Sequence, residues 1–94
     1  GIKRMNTHFV TYSLDNPSES YDIISSHLKQ FHNWAKLFSR AWIIKTTRSS
    51  RSVRDELVDV INNKGKVVVI NITDSAWATY GINPDLVEWM KDNI

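Results

Sequence analysis

Three arginines stand three residues apart in the segment TTRSSRSVRDEL, residues 46–57, among several serine hydroxyls. Arg48, Arg51 and Arg54 precede or begin a predicted helix, so their guanidinium groups would point the same way as the free N–H groups of the helix start. Arginine forks and hydroxyl donors such as Ser49 match phosphate oxygens. The segment 48–54, called here the arginine segment, therefore predicts an anion site. The alternative is a solvated helix start whose arginines are offset by the acids that follow.

The charge around this segment is uneven. The chain as a whole has a formal net charge of +2. Between residues 29 and 66 there are nine basic and three acidic residues, a balance of +6, which leaves about −4 for the remainder. This asymmetry predicts one basic face, on which Arg40 and Lys45, two of the nine basic residues, would extend the surface of the arginine segment. Nucleic acid, RNA or DNA, or another anionic partner is the expected ligand, although a solvated basic surface explains the charge count as well.

Metal-dependent or acid-base chemistry has fewer candidates. Asp15 follows the first predicted strand, and a two-fold axis would bring two such carboxylates together as metal ligands. The same residue type commonly serves a turn or caps a helix. His27 and His32 are five residues apart, which does not suit a pair of metal ligands on one helical face. His32 with Arg40 could support metal-free ribonuclease chemistry, as an acid and a phosphate clamp. No cofactor is expected unless the protein is a metal-dependent nuclease.

Composition excludes several other classes of function. The chain has no cysteine, so disulfides, thiolate metal sites and cysteine nucleophiles are ruled out. Its three glycines form neither a phosphate loop nor a dinucleotide fingerprint. No apolar run has the length of a membrane span and no signal-peptide pattern opens the chain, which predicts a cytoplasmic protein without membrane contact. Residues 1–4 look like a cloning remnant, and residues 5–94 are expected to form a single domain.

The first half of the chain predicts two extended regions around a helix. THFVTYSL alternates as a strand does, and DNPSES supplies a turn with Pro17 and a Ser or Asn helix cap. Apolar residues from Tyr21 to Phe31 then recur at helical spacing. Two short extended pieces follow, at Trp34–Phe38 and Ala41–Thr46, and the break between them predicts a hairpin.

The second half predicts a helix, a strand and a last helix. Ser52 and Asp55 resemble a capping box for the second helix. KVVVINI is a continuous β-branched run, typical of a buried central strand. Asn83 and Pro84 are a cap and first turn for the last helix. The order of elements predicts an α+β domain, ferredoxin-like βαββαβ with an additional C-terminal helix, in which two helices cover one face of an antiparallel sheet.

Four tryptophans bear on both packing and function. Trp42 lies within a predicted strand and Trp89 on the apolar side of the last helix, so both are expected in the core or an interface. Trp34 and Trp77 are less constrained, and exposed tryptophans can act as base-stacking platforms. A rich aromatic supply beside an uncovered sheet face favours a homodimer.

The stretches TYSLDNPSESY, RAWIIKTT, RDEL and AWATYG followed by EWMKDNI resemble the small bacterial and phage proteins called SinR-like. More distantly, the predicted architecture is similar to the second CRISPR-associated (Cas) protein and to VapD-type toxins, which are ferredoxin-like dimers that bind or cut nucleic acid. In the Cas family the first strand ends with a tyrosine and an aspartate proposed to hold a metal. Here Tyr12 is followed by Ser13, and Asp15 is the nearest acid.

Three hypotheses follow from these observations. The first is a homodimer that binds nucleic acid, or another anionic partner, through Arg40, Lys45 and the arginine segment. The second is a weak metal-dependent nuclease similar to the Cas endoribonuclease, with Asp15 as a displaced ligand. The third is a protein-interaction module of a mobile element that docks a host or phage protein.

Overall fold

A computed structural model describes residues 4–16 and 21–94 of the chain. It contains seven elements in the predicted order of strand, helix, strand, strand, helix, strand and helix. Their bounds are β1 Asn6–Leu14, α1 Asp22–Leu28, β2 Asn33–Phe38, β3 Ala41–Thr46, α2 Ser50–Val60, β4 Gly65–Asn71 and α3 Pro84–Asn93.

The four strands form one antiparallel sheet in the order β2-β3-β1-β4. The chain is therefore an α+β protein with a four-stranded antiparallel sheet and three helices, which is consistent with a ferredoxin-like fold. Among the described residues, no helix is long and apolar enough to cross a membrane.

One face of the sheet, called here the helical face, packs against α1 and α2. Because side chains alternate along a strand, Val10 and Tyr12 of β1 share this face with Trp42 and Ile44 of β3. The helices contribute a complementary apolar stripe, so that one core forms between the two layers. The buried Trp42 indole donates a hydrogen bond to the Tyr12 hydroxyl over 3.0 Å, which satisfies its polar atom.

The opposite face of the sheet is only partly covered. Met90 of α3 is buried, and the Thr7 hydroxyl donates to the Asn93 carbonyl over 2.7 Å. Near β4 the cover ends, because Val68 and Ile70 remain 48% and 51% exposed. The last helix therefore leaves one border of this face open to solvent.

Three sequence predictions about local structure need correction. KVVVINI does not form a central strand, since β4 lies at the edge of the sheet. The second helix is capped by Ser49 rather than Ser52, whose backbone N–H donates to the Ser49 hydroxyl over 3.1 Å. Tyr21 occupies the N-cap position of α1 without a side-chain cap bond, so the expected Ser or Asn cap is wrong. The predicted turn at Pro17 lies outside the described residues.

Candidate nucleic-acid interface

The arginine segment begins just before the first turn of α2. With Ser49 as the cap, Arg48 precedes the helix, whereas Arg51 and Arg54 lie on it. All three cations are therefore near the positive end of the helix dipole, as the sequence predicts. Their usefulness for binding an anion depends on what already neutralises each of them.

Arg48 is fully engaged with α2. Its Nε donates to the Ser52 hydroxyl over 2.9 Å, and its Nη2 donates to the Ser52 carbonyl over 3.2 Å. Its Nη1 donates to Glu56 Oε1 over 2.6 Å, a charge-assisted hydrogen bond. The guanidinium thus folds back over its own helix, and a phosphate would have to compete with a carboxylate for it.

Glu56 also links α2 to α1. His27 Nε2 of α1 lies 3.0 Å from Glu56 Oε2, so one carboxylate is shared by two basic groups. Partial burial of the carboxyl raises its pKa, but the hydrogen bonds from His27 and Arg48 outweigh this effect, and the pKa of Glu56 is lowered. The cluster therefore has the geometry of a bridge between two helices.

The other two arginines differ from each other. Arg54 pairs with the adjacent Asp55 over 2.8 Å at the surface. Arg51 is exposed and has no ion-pair partner among the described residues. It lines a shallow surface cavity together with Asp55, Glu56 and Asp59, so acids surround it. The arginine segment consequently offers one free cation rather than three.

The histidines are placed differently from one another. His8 is completely buried beneath the arginine segment: Nε2 lies 2.9 Å from the Arg48 carbonyl and Nδ1 lies 3.2 Å from the Ser50 hydroxyl. Since a carbonyl only accepts, Nε2 carries a hydrogen, and this histidine anchors the loop. His32 is exposed and lines a cavity with His27 and Arg48.

Arg40 lies far from that cavity. It precedes β3, whereas Arg48 follows the same strand, so the two arginines are near opposite ends of the sheet. The predicted partnership of His32 with Arg40 is therefore wrong. The predicted strand Trp34–Phe38 already implied this separation, because it lies between the two residues.

Lys45 and Asp15 are also separated from the arginine segment. Lys45 pairs in register with Thr7 and Asn33, and all three side chains belong to the face opposite α1 and α2. Asp15 is exposed at the end of β1, where its backbone N–H donates to the Lys64 carbonyl over 3.0 Å. In the parts of the chain that the structure describes, no group of three or more His, Asp or Glu side chains could hold a metal ion.

Arg40 belongs to a different site, at the hairpin between β2 and β3. Its backbone has a φ of 61°, in the left-handed region, which turns the chain tightly at this point. Its guanidinium carbon lies 5.1 Å from the centre of the Tyr21 ring, and its Nη1 donates to the Tyr21 hydroxyl over 3.0 Å. The Leu14 N–H donates to the same oxygen and, with Arg40, lowers the pKa of Tyr21.

Lys36 faces Arg40 across a cavity of about 390 Å³. The remaining lining residues carry hydroxyl groups: Tyr12, Tyr21, Ser25 and Ser39. No carboxylate lines this cavity within the described residues. Two cations and several hydroxyls around one opening form a donor set that suits a phosphate group.

Aromatic rings and a further cation continue from this cavity along the helical face. Lys36 Nζ lies 5.7 Å from the centre of the Trp42 ring, and Trp42 lies 5.6 Å from Trp34. Trp34 is 38% exposed, and Lys29 Nζ lies 5.7 Å from its centre. We name Tyr21, Lys29, Trp34, Lys36 and Arg40 the cation-aromatic row. Its three cations have no ion-pair partner in residues 4–16 and 21–94.

Arg40 and Trp34 were candidates from the sequence, whereas Lys29 and Lys36 were not. A signal was present, because residues 29–54 contain no acid at all. Within that run, Trp34 and Lys36 are two apart on β2 and must share a face.

Comparison of the chain with family models, with curated proteins and with solved structures finds no match. Charge, exposure and geometry are therefore the grounds on which a function can be proposed for this protein.

Proposed function

We propose that this protein binds single-stranded nucleic acid along the cation-aromatic row. The observation that carries the proposal is the set of three exposed cations that lie beside aromatic rings and lack acidic partners in the described chain. Proteins that bind single strands combine a positive track for phosphates with aromatic side chains on which bases stack.

The chemistry of the row suits both phosphate binding and base stacking. Lys36 and Arg40 line the hydroxyl-rich cavity, which suits one phosphate group. An exposed cation-π contact is worth only about 0.5–1 kcal/mol, so a phosphate can draw either cation from its ring at small cost. Trp34 exposes part of its indole beside Lys29, where an unstacked base can lie.

A single strand fits the row better than a duplex does. The bases of a duplex are stacked on one another, so their flat faces are not available to a side chain such as Trp34. Reading the bases of a duplex also needs a helix or ribbon that enters a groove, and the row is a shallow surface along a short helix and an edge strand.

Binding of a labelled twelve-nucleotide single strand, followed by anisotropy over a salt series, tests the proposal. We expect the paired substitutions Lys36→Gln and Arg40→Gln to weaken binding at least tenfold. We also expect the slope of log affinity against log salt to fall by about 1.4, because each contacted phosphate contributes about 0.7 for a single strand.

The matched control is Arg51→Gln with Arg54→Gln, which removes the same two charges from α2. These two residues are exposed and neither bridges helices, so the fold should tolerate both changes. We expect the control to keep affinity within about threefold. Loss in the control with retention in the row variant would move the site to the arginine segment. Absence of wild-type binding at low salt would reject nucleic-acid binding altogether.

The finer identity of the protein is proposed from the resemblance of its sequence, together with the α+β architecture. We propose a ferredoxin-like domain of the SinR-like kind, which acts as a binding protein. The nuclease alternative is supported by the exposure of Asp15 near the hairpin end of the sheet, since Leu14 and Arg40 both contact the Tyr21 hydroxyl. It predicts strand cleavage that needs Mg²⁺ and is lost in Asp15→Ala, which gel analysis of the same oligonucleotide would detect.

A further inference from the structure

The edge strand β4 exposes both unpaired backbone groups and apolar side chains. Its seven residues pair with β1 alone, so the outward N–H and C=O groups have no strand partner among the described residues. On the face opposite α1 and α2, its side chains are Lys66, Val68 and Ile70, and the two apolar ones are about half exposed. Such an edge is a template for pairing with another strand.

The other edge of the sheet is protected in a way that β4 is not. The register of β2 against β3 shifts between Lys36 and Phe38, which interrupts the regular ladder. Irregularities of this kind are a common means of preventing edge-to-edge contact. Pairing of β4 with β1 is regular from Gly65 to Asn71, and Lys66 is the only charged residue of the strand.

The sequence of β4 is self-complementary in the antiparallel sense. A two-fold axis at Val68, the middle residue, pairs all seven residues of GKVVVIN with those of a second copy. Lys66 then faces Ile70, and Val67 faces Val69, so the lysines do not meet across the axis. The half-exposed Val68 side chains would lie directly opposite each other and form a cross-strand apolar pair.

We propose that β4 pairs with β4 of a second copy of this chain and extends the sheet to eight strands. The contact consists of one ladder and a few apolar side chains, less than the roughly 800 Å² per partner of a standard interface. The dimer is therefore weak and reversible. This inference does not depend on the proposed function.

Sedimentation velocity of the full chain over a concentration series tests the interface. We expect wild type to shift from monomer to dimer as concentration rises. Val68→Lys should remain monomeric at every concentration, because it places two ammonium groups opposite each other at the axis. Ile23→Lys is the matched control: it adds a lysine at another exposed aliphatic position, 68% exposed on α1, and should dimerise like wild type.

A charge exchange tests the register itself. Ile70→Lys places a lysine opposite Lys66 of the second copy and should abolish the dimer. Adding Lys66→Glu should restore it, since each substituted pair then has opposite charges. Circular dichroism of every variant verifies that the fold is retained. A wild type that stays monomeric, a Val68→Lys variant that still dimerises, or a failure of the exchange to restore association would overturn the proposal.

Discussion

The two ends of β3 carry arginines of opposite character. Arg40 precedes the strand, lies against the Tyr21 ring and has no carboxylate partner in the described chain. Arg48 follows the strand, and its guanidinium donates hydrogen bonds to Ser52 and Glu56 of α2. The availability of a cation is therefore decided by the nearest acid, and a count of charges along the sequence does not reveal it.

The difference has a simple origin in sequence. Helix α2 carries Asp55, Glu56 and Asp59 within three turns of its start, so Arg48 and Arg54 find carboxylate partners on this helix. No acid occurs between residues 29 and 40. The cations of that stretch, Lys29, Lys36 and Arg40, lie instead beside the aromatic rings of Trp34, Trp42 and Tyr21 respectively.

The largest expected effect concerns base stacking at the row. Trp34→Ala should weaken single-strand binding by about tenfold, because stacking of one base on an aromatic side chain contributes about 1–3 kcal/mol. Trp34→Phe should retain most of the affinity, since it keeps an aromatic face. Anisotropy with the same oligonucleotide measures both. Equal binding by the alanine variant and wild type would show that the row attracts phosphates without stacking a base.

The second expected effect is on the free energy of unfolding, which should distinguish an arginine that stabilises the fold from one that is free to bind an anion. Arg48→Ala should lower the free energy of unfolding by about 1–2 kcal/mol, because it removes a charge-assisted hydrogen bond and leaves Glu56 with His27 alone. Arg51→Ala should change it by less than about 0.5 kcal/mol, as is usual for an exposed side chain. Urea denaturation monitored by tryptophan fluorescence compares the two. Equal stability of both variants would contradict the assignment of Arg48 as a structural residue.

The smallest expected effect is a pH dependence that belongs to the α1–α2 bridge. The pKa of Glu56 is lowered from its usual value of 4.5 by His27 and Arg48, although burial opposes them. A lowered pKa in the folded state means that the unfolded state binds more protons in this range. The stabilisation is therefore complete above about pH 4.5 and is lost as the pH falls through the lower, folded-state value.

Glu56→Gln provides the comparison for this effect. The stability difference between wild type and variant should shrink as the pH falls below about 4.5. Denaturation curves at several pH values would measure it. A difference that stays constant down to pH 3 would show that the carboxylate charge does not stabilise the fold.

Much of the fold could be predicted because its signals are local. The bounds of β3 are confirmed, since a turn and a helix start enclose six extended residues. Asn83 is confirmed as the cap of α3, where its side chain accepts from the Asp85 N–H. The prediction that β4 is a central strand was wrong for a physical reason. An unbroken apolar run indicates burial on both faces, whereas here one face is half open.

The candidate site was less predictable because it depends on pairing between distant elements. The bridge from Arg48 through Glu56 to His27 joins residues of a loop and two helices. The cavity beside Arg40 needs Tyr21 of the α1 start to meet the β2–β3 hairpin. The bridge and the Tyr21 contact cannot be predicted from spacing along the chain, because both depend on how the helices pack on the sheet.

The strand order β2-β3-β1-β4 has a consequence for how the row could be used. It places the row beside one border of the sheet and leaves β4 at the other. If two copies join through β4, their β2 strands become the outer borders, seven strand spacings or about 34 Å apart. An oligonucleotide that reaches both rows would bind bivalently, and avidity could exceed the affinity of one row by about 10²–10⁴. The length of the oligonucleotide would then control affinity, because only a strand long enough to reach both rows binds bivalently.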